Sequence, residues 1–200
     1  MSGIGRASVM IGAGTIVSRL TGFLRNIALV AVLSSVGAAG DAFTVANQLP
    51  NNIYAVISTG LLTAVIVPQI VRAGTHADGG RAFISKLFTL GTVVLLVTTA
   101  AAVALAPWLV QLYAEKFSAD QLALATAFAY WCLPQILFYG LYALLGETLN
   151  ARGVFGPFTW APVLNNIVAI SGLLVFIALY GGQEQHQDPS AWTPAQVALL

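Results

Sequence analysis

Charged side chains are scarce in this sequence: Asp, Glu, Lys and Arg together make up 8% of its 200 residues. Soluble domains carry about 25% charged residues, so this chain has too few charges to build an ordinary water-facing surface. The charges present nearly cancel, at a formal net +1, which removes the electrostatic basis for nucleic-acid binding. The single cysteine, Cys132, excludes a disulfide within the chain and any cysteine-built metal site. The aspartates Asp41, Asp78, Asp120 and Asp188 are scattered, without the clustering that a magnesium-dependent transferase needs. No catalytic group, metal or cofactor is expected. Nor is a cleavable leader expected, because the first apolar run is too long, holds internal arginines and precedes no clear cleavage pattern.

What the chain has in place of charge is apolar length. Hydrophobic residues make up 58% of it, and its mean hydropathy is +0.85. A bilayer-spanning helix needs about 20 such residues. Runs of that length fall at about 8–34, 41–71, 83–113, 121–149 and 158–180, and the start of a sixth lies at about 195. The expected fold is an all-α integral membrane protein, a polytopic helical bundle. The final run stops without a polar terminus, so the sequence reads as the N-terminal portion of a longer protein. A cytoplasmic N-terminus puts Arg6, Arg72, Arg81, Lys86 and Arg152 on the inside and Lys116 outside, as the positive-inside rule favours.

Within the first span lies Ser18-Arg19-Leu20-Thr21-Gly22-Phe23-Leu24-Arg25-Asn26. A central arginine costs about 2.5–3.5 kcal/mol on insertion scales. Arg19 and Arg25 therefore fit a wet cavity better than lipid, and guanidinium groups there suit phosphate or carboxylate ligands. Six residues apart, they stand roughly 120° from each other on a straight helix. Snorkelling and pairing with an acidic residue are the competing explanations.

The second span carries Pro50 amid Asn47, Gln48, Asn51 and Asn52. Proline removes one intrahelical bond, so an interruption is expected there. It reads either as a kink with amides bonding to neighbouring helices or as a broken helix lining a substrate path. Pro157, Pro162, Asn165 and Asn166 repeat the pattern in the fifth span, with the same two readings. Asp41 opens the second span as an N-cap or as a gate. Glu147 sits close to Arg152 at a span end. His76 and His186 read as solvated loop residues. Gly12-Ala13-Gly14 lacks the strand and lysine of a phosphate loop, and Trp108, Tyr113, Tyr180 and Trp192 read as interfacial belt residues.

The block from Ser18 to Arg25 is followed by Gly40-Asp41-Ala42-Phe43-Thr44-Val45-Ala46 and Leu49-Pro50-Asn51. Together these resemble the opening signature of the MurJ (MviN) lipid II flippases. Ala64-Val65-Ile66-Val67-Pro68, Ala106-Pro107-Trp108, Leu149-Asn150, and Ala161-Pro162 with Asn166 continue the likeness.

The resemblance implies the N-terminal lobe of a two-lobe transporter in the multidrug/oligosaccharidyl-lipid/polysaccharide exporter superfamily. Such proteins carry a polyprenyl-diphosphate-linked sugar, the peptidoglycan precursor, from the inner to the outer leaflet of the bacterial plasma membrane by alternating access. By the same resemblance Arg19, Arg25 and Asn166 are substrate-binding, and Asp41, Pro50 and Asn51 are gate or structural-functional residues. The expected partners are that substrate, membrane lipids and a missing C-terminal lobe. The sequence departs from the pattern at Asn26, where an acidic residue often stands, at Tyr54 and Ala55, where a basic pair is common, and at Thr59 in place of a glutamate. A transporter of another polyprenyl-linked oligosaccharide, a drug/ion antiporter of the same fold, a membrane transferase and a non-transporting scaffold are the alternatives. Cavity acids would mark the antiporter and clustered aspartates the transferase.

Overall fold

The computed structural model describes residues 3–34, 37–58, 81–151, 154 and 156–200. Thr59, the Ala64–Pro68 stretch, Arg72, His76, Asp78 and Arg152 lie outside them, as do the side chains of Arg6, Arg81 and Asn150. The described residues are helical, with no strand among them. The helices are α1 (Gly3–Leu33), α2 (Ala38–Ile57), α3 (Arg81–Ala104), α4 (Ala106–Tyr113), α5 (Ala119–Cys132), α6 (Gln135–Ala151), α7 (Gly156–Tyr180) and α8 (Pro194–Leu199). Stretches Val9–Leu33, Ile84–Ala104, Ala119–Leu149 and Gly156–Tyr180 are each long and apolar enough to cross a membrane. The chain is an all-α, multi-pass membrane protein.

The expected interruption of the second span does not occur: α2 runs unbroken from Ala38 to Ile57 with Pro50 inside it. Pro50 is fully buried. Proline removes the bond to the Ala46 carbonyl, and the packing around it holds the remaining turns in place. Asn51 Nδ2 donates to the Asn47 carbonyl at 3.1 Å, and Asn52 Nδ2 reaches the Tyr113 hydroxyl at 3.4 Å. The third span, expected as one piece to Tyr113, is instead divided at Leu105, and Pro107 lies in the first turn of α4. Its ring would meet the Val103 carbonyl in a continuous helix, whereas the first turn of a new helix tolerates it. Pro134 likewise separates α5 from α6.

The chain forms two compact units. The first comprises residues 1–44, 116–128 and 154–200, the second 45–115 and 129–153.

In the first unit α1 and α7 pack along their length and run parallel. Thr159 lies against Gly14, and Asn166 lies against Ser18 and Thr21. Further on, Leu173 and Phe176 meet Val32 and Leu33. Beyond α7 the polar loop folds back onto this core. His186 is 3% exposed, with Nδ1 3.0 Å from the Gly182 carbonyl and Nε2 3.1 Å from Gln196 Nε2. Its ring contacts Phe176 and Trp192. The expectation of a solvated His186 is therefore overturned. Trp192 and Tyr180 also contact Phe176. Asp188 accepts from the Ser190 backbone N–H and hydroxyl, which holds its carboxyl below the ordinary carboxylate value. Thr193 and Gln196 form a capping box that starts α8.

In the second unit α3 packs antiparallel against α6. Leu95 and Leu144 form its core, covered by Tyr54, Ile57, Leu87, Phe88, Leu137 and Ala143.

Candidate functional site

Among the candidate residues, Arg19, Arg25, Asp41 and Asn166 belong to the first unit, whereas Pro50 and Asn51 belong to the second. Asp41 is not an N-cap. It lies inside the first turn of α2, exposed, with its backbone N–H bonded to the Gly37 carbonyl at 2.9 Å. Its charge there complements the helix dipole.

The geometry of α1 follows from 3.6 residues per turn. Gly14, Ser18, Thr21, Arg25 and Val32 fall within about 40° of one line, and this is the line that meets α7. Gly14 allows the approach, since a Cβ there would collide with the Thr159 methyl. Roughly opposite, Ile16, Leu20, Phe23, Leu24 and Ile27 are all more than half exposed, at 52–64%. This arc suits acyl chains.

A third face borders the α7-facing line and shares Arg25 and Ser18 with it. Around an arc of roughly 120° on the straight-helix wheel stand Arg25, Ser18, Gly22, Thr15, Asn26 and Arg19, with no apolar side chain from Thr15 to Asn26. Arg19, Thr15 and Asn26 are exposed, and Arg25, Ser18 and Gly22 are half-buried. The arginines thus flank a polar stripe, and Gly22 at its middle leaves a dent between them. A Cβ at Gly22 would have a single neighbour within 4 Å, Asn166 Nδ2 at 3.5 Å. Neither guanidinium has a hydrogen bond or ion pair among the described residues. Chemically, the stripe offers two forked cations beside hydroxyl, amide and backbone groups. Such a set matches a phosphate-bearing or carboxylate-bearing headgroup.

Asn166 is 7% exposed and borders this stripe from α7. Its Nδ2 donates to the Ser18 carbonyl and to the Thr21 hydroxyl, both at 3.1 Å. Thr21 in turn donates within α1, to the Val17 carbonyl at 2.9 Å. The amide nitrogen of Asn166 is engaged with α1. Sequence reasoning missed Thr15, Ser18 and Asn26 as members of the stripe. Their helical phase relative to the arginines was the signal available.

Comparisons with known proteins identify the family. A family model described as "Lipid II flippase MurJ" matches residues 30–194, a stretch that begins after the two arginines of α1. A "Probable lipid II flippase MurJ" of Haemophilus influenzae is 32% identical over 177 residues, covering 80% of this chain and 33% of that protein. Its counterpart in Rhizobium meliloti is 32% identical over 180 residues, covering 87% of this chain and 33% of its own length. A "Lipid II flippase MurJ" of Burkholderia cenocepacia is 29% identical over 177 residues, covering 86% of the chain and 34% of its own. The chain thus spans about a third of the length of the curated relatives it matches. With 165 of its 200 residues, from 30 to 194, inside the family match, the chain belongs to the MurJ lipid II flippase family.

Proposed function

We propose that this chain is the N-terminal lobe of a lipid II flippase. It would carry a lipid-linked peptidoglycan precursor from the inner to the outer leaflet of the bacterial plasma membrane, with its N-terminus in the cytoplasm. The observation that carries this reading is the polar stripe of α1, which holds Arg19 and Arg25 within a 25-residue apolar span. The stripe shares Arg25 and Ser18 with the α7-facing line and no residue with the exposed apolar arc. Charges at bilayer depth belong against protein or water and not against acyl chains.

The two guanidiniums offset the cost of bringing a diphosphate into a low-dielectric environment, while the polyprenyl tail stays in lipid. Rocking of one lobe against the other then presents the same site to each leaflet. Nothing in this cycle makes or breaks a covalent bond, so the protein acts as a translocator and not as an enzyme. Asp41 and Pro50–Asn51 would serve the movement, Asp41 as a gate charge and Pro50 as a weak point in α2.

The test is substitution in the full-length protein, with precursor translocation measured at matched membrane expression. Charge-assisted hydrogen bonds contribute about 1.5–3 kcal/mol each, so Arg25→Ala and Arg19→Ala should each lower translocation roughly ten- to a hundredfold. Arg25→Lys keeps the charge but loses the planar fork, and it should fall between wild type and alanine. Unchanged translocation in both alanine variants would remove the arginines from the site.

A further inference from the structure

We propose that Asn166 is a positioning residue, a clasp that fixes α1 so that Arg19 and Arg25 flank the dent at Gly22. This rests on the reading of the arginines as diphosphate ligands. The amide nitrogen of Asn166 donates to α1 at two acceptors, the Ser18 carbonyl and the Thr21 hydroxyl, each at 3.1 Å. These acceptors lie on either side of Arg19, about two turns and one turn before Arg25. A rotation or slide of α1 relative to α7 that moved the arginines would break both bonds. Gly14 allows little slack, since a Cβ there would collide with the Thr159 methyl. Asn166 is buried, so bonds broken there leave polar groups unsatisfied. The clasp therefore sets rotation and depth together. Thr21 is its second half, because its hydroxyl accepts from Asn166 while donating to Val17.

The experiment uses the full-length protein with Cys132→Ala and spin labels at Ile16→Cys and Leu164→Cys, positions that are 62% and 64% exposed on α1 and α7. One readout is the distance distribution between the labels. The other, in the unlabelled protein, is the affinity for farnesyl diphosphate as a short polyprenyl diphosphate probe. Asn166→Ala and Thr21→Val should each broaden the distance distribution. Each should also weaken probe binding about three- to twentyfold, the range expected for one interhelical hydrogen bond in a membrane. The double variant should be no worse than either single one, and Thr21→Ser should restore both readouts.

A narrow, unchanged distance distribution in both variants overturns the proposal. So does weakened binding in Asn166→Ala with wild-type binding in Thr21→Val, which would make Asn166 a direct ligand. Loss of the α1–α7 geometry while Arg19→Ala and Arg25→Ala bind the probe normally is a different failure. There the arginine reading falls, and the positioning role falls with it, leaving a purely structural clasp.

Discussion

Most threonine hydroxyls described in these helices follow one rule. Thr15, Thr21, Thr44, Thr89, Thr126 and Thr148 each donate to the carbonyl four residues earlier, the usual way to satisfy a hydroxyl in an apolar environment. Thr99 departs from it: its Oγ1 is buried with no partner among the described residues. A buried hydroxyl left unmade costs about 1–3 kcal/mol. Thr99→Val keeps the side-chain shape and removes the polar atom, so it should stabilise the protein by about 1 kcal/mol. Thermal unfolding in detergent should show a higher midpoint, and a lower one would mean that the hydroxyl has a partner. The same residue-level logic marks what the sequence could tell. Arg19 and Arg25 were legible because a charge in an apolar run is conspicuous whatever surrounds it. His186 was not, because its burial depends on Phe176, Trp192 and Gln196 meeting it after folding. A polar loop composition carries no trace of that meeting.

The proline-bearing elements separate what local chemistry decides from what packing decides. Pro107 and Pro134 end one helix and start another, whereas Pro50 and Pro162 sit inside continuous helices. Each removes one backbone bond, and the sequence shows only that removal. Whether the helix continues depends on the neighbours that hold it, and the full burial of Pro50 is the visible sign. Small residues were equally ambiguous in sequence, and the α3–α6 pair gives them a definite role. Gly91 of α3 receives Leu144 of α6, and Gly140 of α6 receives Leu95 of α3. Both leucines are 1% exposed, so neither can swing aside. In lipid, close packing of this kind replaces the hydrophobic drive for association. Gly140→Ala forces its methyl into Leu95 and should destabilise the protein by about 1–3 kcal/mol. Adding Leu95→Val should recover part of that loss. Equal unfolding midpoints for wild type and Gly140→Ala would show that the two helices do not lock in this way.

For the molecule as a whole, the parallel course of α1 and α7 constrains the topology. Two membrane-crossing helices can run parallel only if the chain between them crosses an odd number of times. The start of α1 and the start of α7 must then lie on one side, and the loop 181–193 on the other. The sequence alone reached the same arrangement from apolar run lengths and loop charges. The parallel packing reaches it from contacts such as those of Gly14 with Thr159 and Asn166 with Thr21. Which side is cytoplasmic is a matter of basic residues, and the proposed orientation puts Lys86, near the start of α3, inside. The same proposed orientation puts the loop outside. An impermeant maleimide added to intact cells should label Ser190→Cys, which is exposed beyond α7. It should not label Lys86→Cys until the membrane is opened. Labelling of Lys86→Cys with protection of Ser190→Cys would invert the orientation. The arginine stripe would then present its substrate in the reverse order, to the outer leaflet first.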